Sequence, residues 1–228
     1  ARPRDGEDSY MPVFTVGLGH ASVLASTLGV PLYETSHQQG HIAAGLIGNA
    51  APDGPFVALH LSGGTTELLD CREGRLELLG GSEDLHAGQL VDRVGVSLGL
   101  PFPAGKALDA LASKSGPVRG FPVKLNGLTF SLSGMENKGK ALAEQGRPPA
   151  EIARFTLETV ASAVRRATDA ARKRWPGLPV LCSGGVASNR LLRTVMSDAA
   201  FAGPQYSTDN AMGAAILAWR SLRQEAEA

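Results

Sequence analysis

The chain has 228 residues, with 22 basic and 22 acidic side chains, zero net charge and an aromatic content of 5%. That length suits one large domain or two small ones, and the charge balance and scarce aromatics exclude a broad nucleic-acid footprint or base-stacking platform on this chain alone. No apolar run is long enough to span a membrane, and the two cysteines, Cys71 and Cys182, lie far apart without a CxxC spacing, which fits a reduced cytoplasmic protein with no membrane partner.

The opening "ARPRDGEDSYMP" is polar and turn-rich and does not read as a domain's first strand; with Ala1 in place of Met it reads as the interior of a longer protein. Residues 17–29 carry small and apolar side chains at helical spacing and end at Gly29, a C-cap candidate. PLYETS reads as a short strand. Ser36 followed by Gln39 fits a capping box, so a helix is expected to begin at about residue 37. Residues 56–61, 65–71 and 75–80 read as three strands in a meander, the first two joined by "SGG".

Residues 87–100 read as a helix, followed by a turn at "PFPAG" and a second helix. Residues 128–133 look like a strand, and the polar, Gly- and Pro-containing stretch 135–149 reads as a mobile connection. The longest helical pattern, 150–174, puts Ile152, Phe155, Val160, Val164 and Ala167 on one stripe. Residues 178–183 read as a buried strand, "GGVASNRLLRTVMSDAA" as a turn running into a helix, and "YSTDNAMGAAILAWRSL" as strand, turn and helix. There is no internal repeat of fixed short period. This mixture predicts an α/β fold.

Two features carry chemistry. "LSGGTTE" joins strand to strand and "CSGGVASN" joins strand to helix; each glycine pair lets a backbone approach a phosphate closely. A lone Gly-Gly turn is usually only a turn, and two after apolar strands make a nucleotide cleft an even choice. His37 and His41 lie four residues apart on the expected helix, a spacing that presents two imidazoles to one metal. The spacing leaves other readings open, a core histidine at His41 and a solvated first-turn ring at His37. Asp209 is a candidate third ligand and equally a helix N-cap. Residue 38 is Gln, so the general base of an HExxH protease is absent. Glu67 and Glu83 read as solvent-facing.

Taken together, "SYMP", "GVPLYETSHQQGHIAAG", "LHLSGGTTELL", "GGSEDLHAGQLVDRVGVSLGLPFPAGKALDALA", "FSLSG", "CSGGVASNRLLR" and "YSTDNAMGAAI" resemble the family of tRNA threonylcarbamoyladenosine-forming transferases, long mislabelled as O-sialoglycoprotein endopeptidases. The resemblance spans nearly all of residues 9–218. It implies an actin/sugar kinase/Hsp70-like fold, amino-terminally incomplete here. Residues 1–55 would be the remainder of an amino-terminal lobe carrying the histidine motif, and residues 56–228 a carboxy-terminal nucleotide-binding lobe. It implies one divalent metal ion, iron or zinc, on His37, His41 and Asp209. It implies an adenine nucleotide or acyl-adenylate beside Ser62, Gly63, Gly64, Asp92, Gly105, Gly184, Gly185 and Asn189, with Asp92 on ribose hydroxyls. Catalytic residues beyond these are not assigned. The implied reaction moves threonylcarbamoyl from its adenylate to N6 of a tRNA adenosine, with tRNA docked through partner proteins.

The departures are specific. Thr65 stands where the family has a histidine after "SGG", Gln89 stands where a glutamate is typical, and "FSLSGMEN" diverges after its Ser-Gly. The family's amino-terminal phosphate-binding hairpin is not in the sequence. The pattern is similar to a diverged bacterial paralogue. That leaves an alternative, a non-catalytic nucleotide-binding paralogue acting as a protein partner or scaffold, alone or as a homo-oligomer.

Overall fold

The computed structural model describes residues 12–49, 54–72, 74–207 and 211–227. Three strands run in the expected meander: β1 (Phe56–Leu61), β2 (Thr66–Arg72) and β3 (Arg75–Ser82). Two two-residue strands, β4 (Leu125–Asn126) and β5 (Thr129–Phe130), add to β3, and β6 (Val180–Ser183) and β7 (Ala200–Phe201) add to β1. The result is a seven-stranded sheet in the order β4-β5-β3-β2-β1-β6-β7. It is mixed: β1–β2 and β2–β3 are antiparallel, whereas β1–β6 and β6–β7 are parallel. This is the α/β architecture expected from the sequence.

Strand alternation sorts the core. Val57, Leu59 and Leu61 of β1 point to one face and join α3 (Ala87–Ser97) and α6 (Pro149–Arg174) through Leu90, Val94, Ile152, Val160 and Val164. Phe56 and Ala58 point to the other face and, with Leu69, Cys71 and Leu181, meet Ile42 of α2 (His37–Gly45). All six residues of β1 are buried, as expected of a strand covered on both faces. The helix α4 (Gly105–Ala112) packs against α6, and α8 (Met212–Glu227) packs on α2, where a Cβ on Gly213 would collide with the Gly40 carbonyl.

The expected capping box of α2 is present: Ser36 Oγ accepts from Gln39 N at 3.0 Å and Gln39 Oε1 accepts from Ser36 N at 2.9 Å. The longest helix, α6, starts with Pro149 at its first position, has Glu151 in its first turn and ends on Arg172, Lys173 and Arg174, which complements the helix dipole at both ends.

Several expectations need correction. PLYETS forms no strand beyond a single bridge at Ser36; Ser36 also caps α2, and Tyr33 Oη donates to Glu225 of α8 at 2.7 Å. The helix expected over 17–29 forms and ends before Gly29, whose φ is +64°, but α1 begins earlier, running from Pro12 to Leu28, and buries none of its residues. Residues 128–133 form only β5, in a hairpin with β4 that turns at Gly127, where φ is +62°. The stretch expected to be a mobile connection holds a helix, α5 (Ser133–Glu144). Asp84 seeds it, accepting hydrogen bonds from Leu132 N at 2.8 Å, from Ser133 N at 3.3 Å and from Ser131 Oγ. Burial alone would raise the Asp84 carboxyl, but these bonds together with those from the Ser133 hydroxyl and Leu85 N outweigh it and hold the group well below the usual carboxylate range. The helix after the second glycine turn, α7, is short (Arg190–Val195), and β7 follows where helix was expected. No strand forms at Tyr206, which ends a short 3-10 turn. Among the described residues no helix is long and apolar enough to cross a membrane.

Candidate functional site

The register of the sheet assembles a polar row. His60 pairs with Glu67 on β2 and with Ser183 on β6. Residues that pair directly across strands point to the same face, and here that face is the one covered by α2. His60, Glu67 and Ser183 are 3%, 4% and 1% exposed, so a charged and two polar side chains sit in the interior. Each has a partner. His60 Nδ1 and Ser183 Oγ share a hydrogen bond of 2.9 Å, and Glu67 Oε2 accepts from Gln38 Nε2 at 2.5 Å. Glu67 is therefore not the solvent-facing residue that the sequence suggested. Glu83 is exposed, as expected, and accepts from Thr129 Oγ1 at 2.7 Å.

The first turn of α2 lies over this row. His41 is buried and its ring centroid is 4.7 Å from that of His60. His37, partly buried, brings its Nε2 to 3.1 Å from His41 Nε2. Phe14 of α1 covers the outer side of His37, ring centroids 5.1 Å apart. Two imidazole nitrogens on one zinc, at right or tetrahedral angles, would lie about 2.8–3.4 Å apart given Zn–N bonds of 2.0–2.1 Å. The observed separation falls in that interval and also matches a shared proton in an N–H···N bond, so the pair fits a cation without requiring one. Asp209, the expected third ligand, lies outside the described residues. Among the described residues no group of three His, Cys, Asp or Glu side chains converges on one point.

The two glycine turns leave the sheet side by side. β1 ends at Leu61 and runs into Ser62–Thr65; β6, its parallel neighbour, ends at Ser183 and runs into Gly184–Ser188. In open α/β sheets the crevice beyond the carboxyl ends of parallel strands is the usual ligand site. The first turn is braced internally: Ser62 Oγ bonds Thr65 Oγ1 at 2.7 Å and accepts from Thr65 N at 3.1 Å, and Ser62 N donates to Thr65 O at 2.9 Å. The Ser62 hydroxyl is thus engaged within its own turn, while Gly63 and Gly64 are exposed and a Cβ on either would meet nothing within 4 Å. Gly185 is open in the same way. Gly184 is the opposite case: its φ is +91° and a Cβ there would collide with the Leu61 carbonyl, so the two strand ends touch through backbone. Helix α3 closes one side. Ala87 N donates to Thr66 Oγ1 at 2.7 Å, and Gly88 lets the helix pass against Ser62 and Gly63.

The remaining predicted residues lie on the helices beside these turns and have structural partners. Asp92 Oδ1 accepts from Ala104 N at 2.7 Å, tying α3 to the start of α4, whose first residue is Gly105. Asn189 caps α7 through Leu192 N at 3.0 Å and donates to Asp109 Oδ1 of α4 at 2.8 Å. Gln89 Oε1 accepts from His86 N at 3.2 Å, so this departure from the family pattern serves as a helix-start brace. Burial pushes the Cys71 and Cys182 thiols up to about 12, which leaves neither as a nucleophile.

Sequence reasoning missed His60, Gln38 and Ser183. The signal was available: in "FVALHL" and "VLCS", buried strands on both faces, a single polar residue at the carboxyl end is the exception that asks for a partner. A separate concavity of about 480 Å³, lined in part by Arg119, Arg147, Leu142 and Phe155, contains none of the predicted site residues.

A family model described as tRNA N6-adenosine threonylcarbamoyltransferase matches residues 11–216. Curated proteins of that name match from Carboxydothermus hydrogenoformans, 37% identical over 86% of this chain, and from Thermus thermophilus, 37% identical over 90% of it. The chain spans 63% and 65% of the length of those relatives. Among solved structures, a full-length HypF in a phosphate- and nucleotide-bound form matches with a TM-score of 0.65 at 15% identity, covering 79% of this chain and 34% of that one. HypF of T. kodakarensis matches with a TM-score of 0.63 at 18% identity, covering 86% and 36%. These two likenesses are of fold.

Proposed function

Because the chain belongs to the tRNA N6-adenosine threonylcarbamoyltransferase family, we propose that it forms the metal- and nucleotide-binding part of an enzyme that transfers threonylcarbamoyl from its adenylate to N6 of a tRNA adenosine. The observation that carries this reading is the meeting of the histidine pair and both glycine turns at one end of β1 and β6.

In this reading the fold is of the actin/sugar kinase/Hsp70 type, with residues 56–228 as the nucleotide lobe. His37 and His41, with Asp209 as third ligand, hold one divalent ion, iron or zinc. The ion supplies Lewis-acid stabilisation of charge on phosphate or carbamoyl oxygens. Gly63, Gly64 and Gly185 let the backbone approach the acyl-adenylate; Ser62 shapes its turn. Asp92, Gly105 and Asn189 receive the nucleoside, Asp92 through the ribose. The N6 amine bonds to the carbamoyl carbon, the bond to the adenylate phosphate oxygen breaks, AMP leaves and one amine proton is released. The chain's task is to hold both partners in line in a dry site. With zero net charge, it leaves tRNA docking to partner proteins.

The test is single-turnover transfer of labelled threonylcarbamoyl from the adenylate to tRNA by the metal-loaded protein, with its partner proteins supplied. Label in the tRNA supports the reading. Metal and adenosine binding without transfer would favour the second reading, a non-catalytic nucleotide-binding partner protein. Thr65 in place of the family's histidine, its hydroxyl engaged within the turn, favours that alternative.

A further inference from the structure

The glycine turn after β6 and the histidine pair on α2 are joined by a continuous set of contacts. Ser183 is the last residue of β6 and immediately precedes Gly184. Its hydroxyl bonds His60 Nδ1 at 2.9 Å, and the His60 ring lies 4.7 Å from that of His41, tilted by 35°. Gly184 in turn sits against the Leu61 carbonyl, one residue beyond His60. A displacement of Gly184 is therefore felt at the Leu61 backbone, next to His60, and at Ser183, whose hydroxyl bonds the His60 ring. All three side chains are buried, so water does not replace a lost partner freely.

We infer that Ser183 is a positioning residue that couples the state of the Gly184–Gly185 turn to the orientation of the His37–His41 pair through His60. This rests on the site reading above and extends it. A ligand that stills the turn holds the Ser183 hydroxyl on His60. That restricts the His41 ring before any cation arrives, and the cation then pays less to order it. Coupling of this kind is reciprocal, so the cation tightens the turn's ligand by the same factor.

The experiment uses the full chain, Co²⁺ as the metal probe and adenosine as the turn ligand. Adenosine has no phosphate, so coupling cannot run through a phosphate bound to the metal. Co²⁺ affinity is measured from its visible absorption with and without saturating adenosine, in wild type, Ser183→Ala and Ser183→Thr. The expected result is that adenosine tightens Co²⁺ about fivefold or more in wild type. Ser183→Ala should bring that factor to about one while adenosine-free Co²⁺ affinity changes less than about threefold, and Ser183→Thr, which keeps the hydroxyl, should restore it. Undiminished coupling in a folded Ser183→Ala, or no coupling in a wild type that binds both probes, overturns the inference alone. A wild type that binds neither probe overturns the site reading and the inference together. If Ser183→Ala does not fold, the Ser183→Thr and wild-type factors decide: loss of coupling in a folded Ser183→Thr that binds both probes overturns the inference.

Discussion

Gln38 on α2 donates to Glu67 on β2 across 29 residues of sequence, at 2.5 Å and out of solvent. The bond pins the histidine-bearing first turn to the strand that leaves the first glycine turn. Removing the carboxylate leaves a buried amide without its acceptor, which costs about 1–3 kcal/mol. Glu67→Ala should therefore lower the denaturation midpoint without touching a proposed ligand, and urea titration of the two proteins measures it. An unchanged midpoint would mean that Gln38 finds another acceptor.

Metal content follows from the imidazole pair. Both nitrogens must face one point, so His41→Ala should remove stoichiometric iron or zinc, as read by elemental analysis of the purified protein. Retention of the wild-type metal content in that variant would place the ion elsewhere.

Gly88 tests the first turn from behind. A Cβ there would lie 2.7 Å from Gly63 Cα and 2.8 Å from Gly63 N. Gly88→Ala should displace the turn at a cost of about 1–3 kcal/mol and weaken adenine nucleotides, measured by calorimetry, while metal content stays at the wild-type level. Wild-type nucleotide affinity in a folded variant would remove the turn from the binding site.

Asp84 gives a pH signature. Its folded carboxyl is held below the usual value, so it contributes stability that is fully present above its unfolded pKa of about 3.9 and is lost as pH falls through the lower, folded value. Denaturation midpoints should fall on acidification below about pH 4, and Asp84→Asn should flatten that part of the profile. An identical slope in the variant would assign the acid sensitivity to other carboxylates.

The thiols provide a check on the core. With both pushed up to about 12 by burial, native protein should show no rapid reaction with a disulfide reagent at pH 8, and both cysteines should react after unfolding. A fast thiol in the native protein would mean that β2 or β6 opens locally.

What the sequence disclosed and what it concealed divide along physical lines. β1 was legible because an unbroken apolar run between turn residues has few other uses, and α2 because Ser36 and Gln39 make a reciprocal cap. The helix α5 was not, because its local sequence, with Gly134, Asn137 and Gly139, has poor helix propensity. Its support is largely non-local: Asp84 receives its amino end, Glu136 pairs with Arg93 at 2.9 Å, and Gly139 fits against Val94. At the site, the spacing of His37 and His41 showed in the text, and the two glycine turns showed as turns. Their meeting in one cleft was no more than an even choice from the residues alone, because it depends on β1 lying beside β6, strands separated by more than a hundred residues of chain. Glu67 was misread for the same reason: only the register with His60 reveals that it faces inward.

The sheet's outer strands carry a consequence for handling this protein. The longest ladders lie in the middle, whereas β4 and β7 at the two edges are two residues each. β5 pairs only with Gly81 and Ser82, so among the described residues Arg75–Gly80 of β3 have no strand on the side away from β2, and that stretch is where a second chain could add one. α1 offers a second route to self-association, built from helices: its Val13, Val16, Val23, Leu24 and Leu28 are each at least 60% exposed.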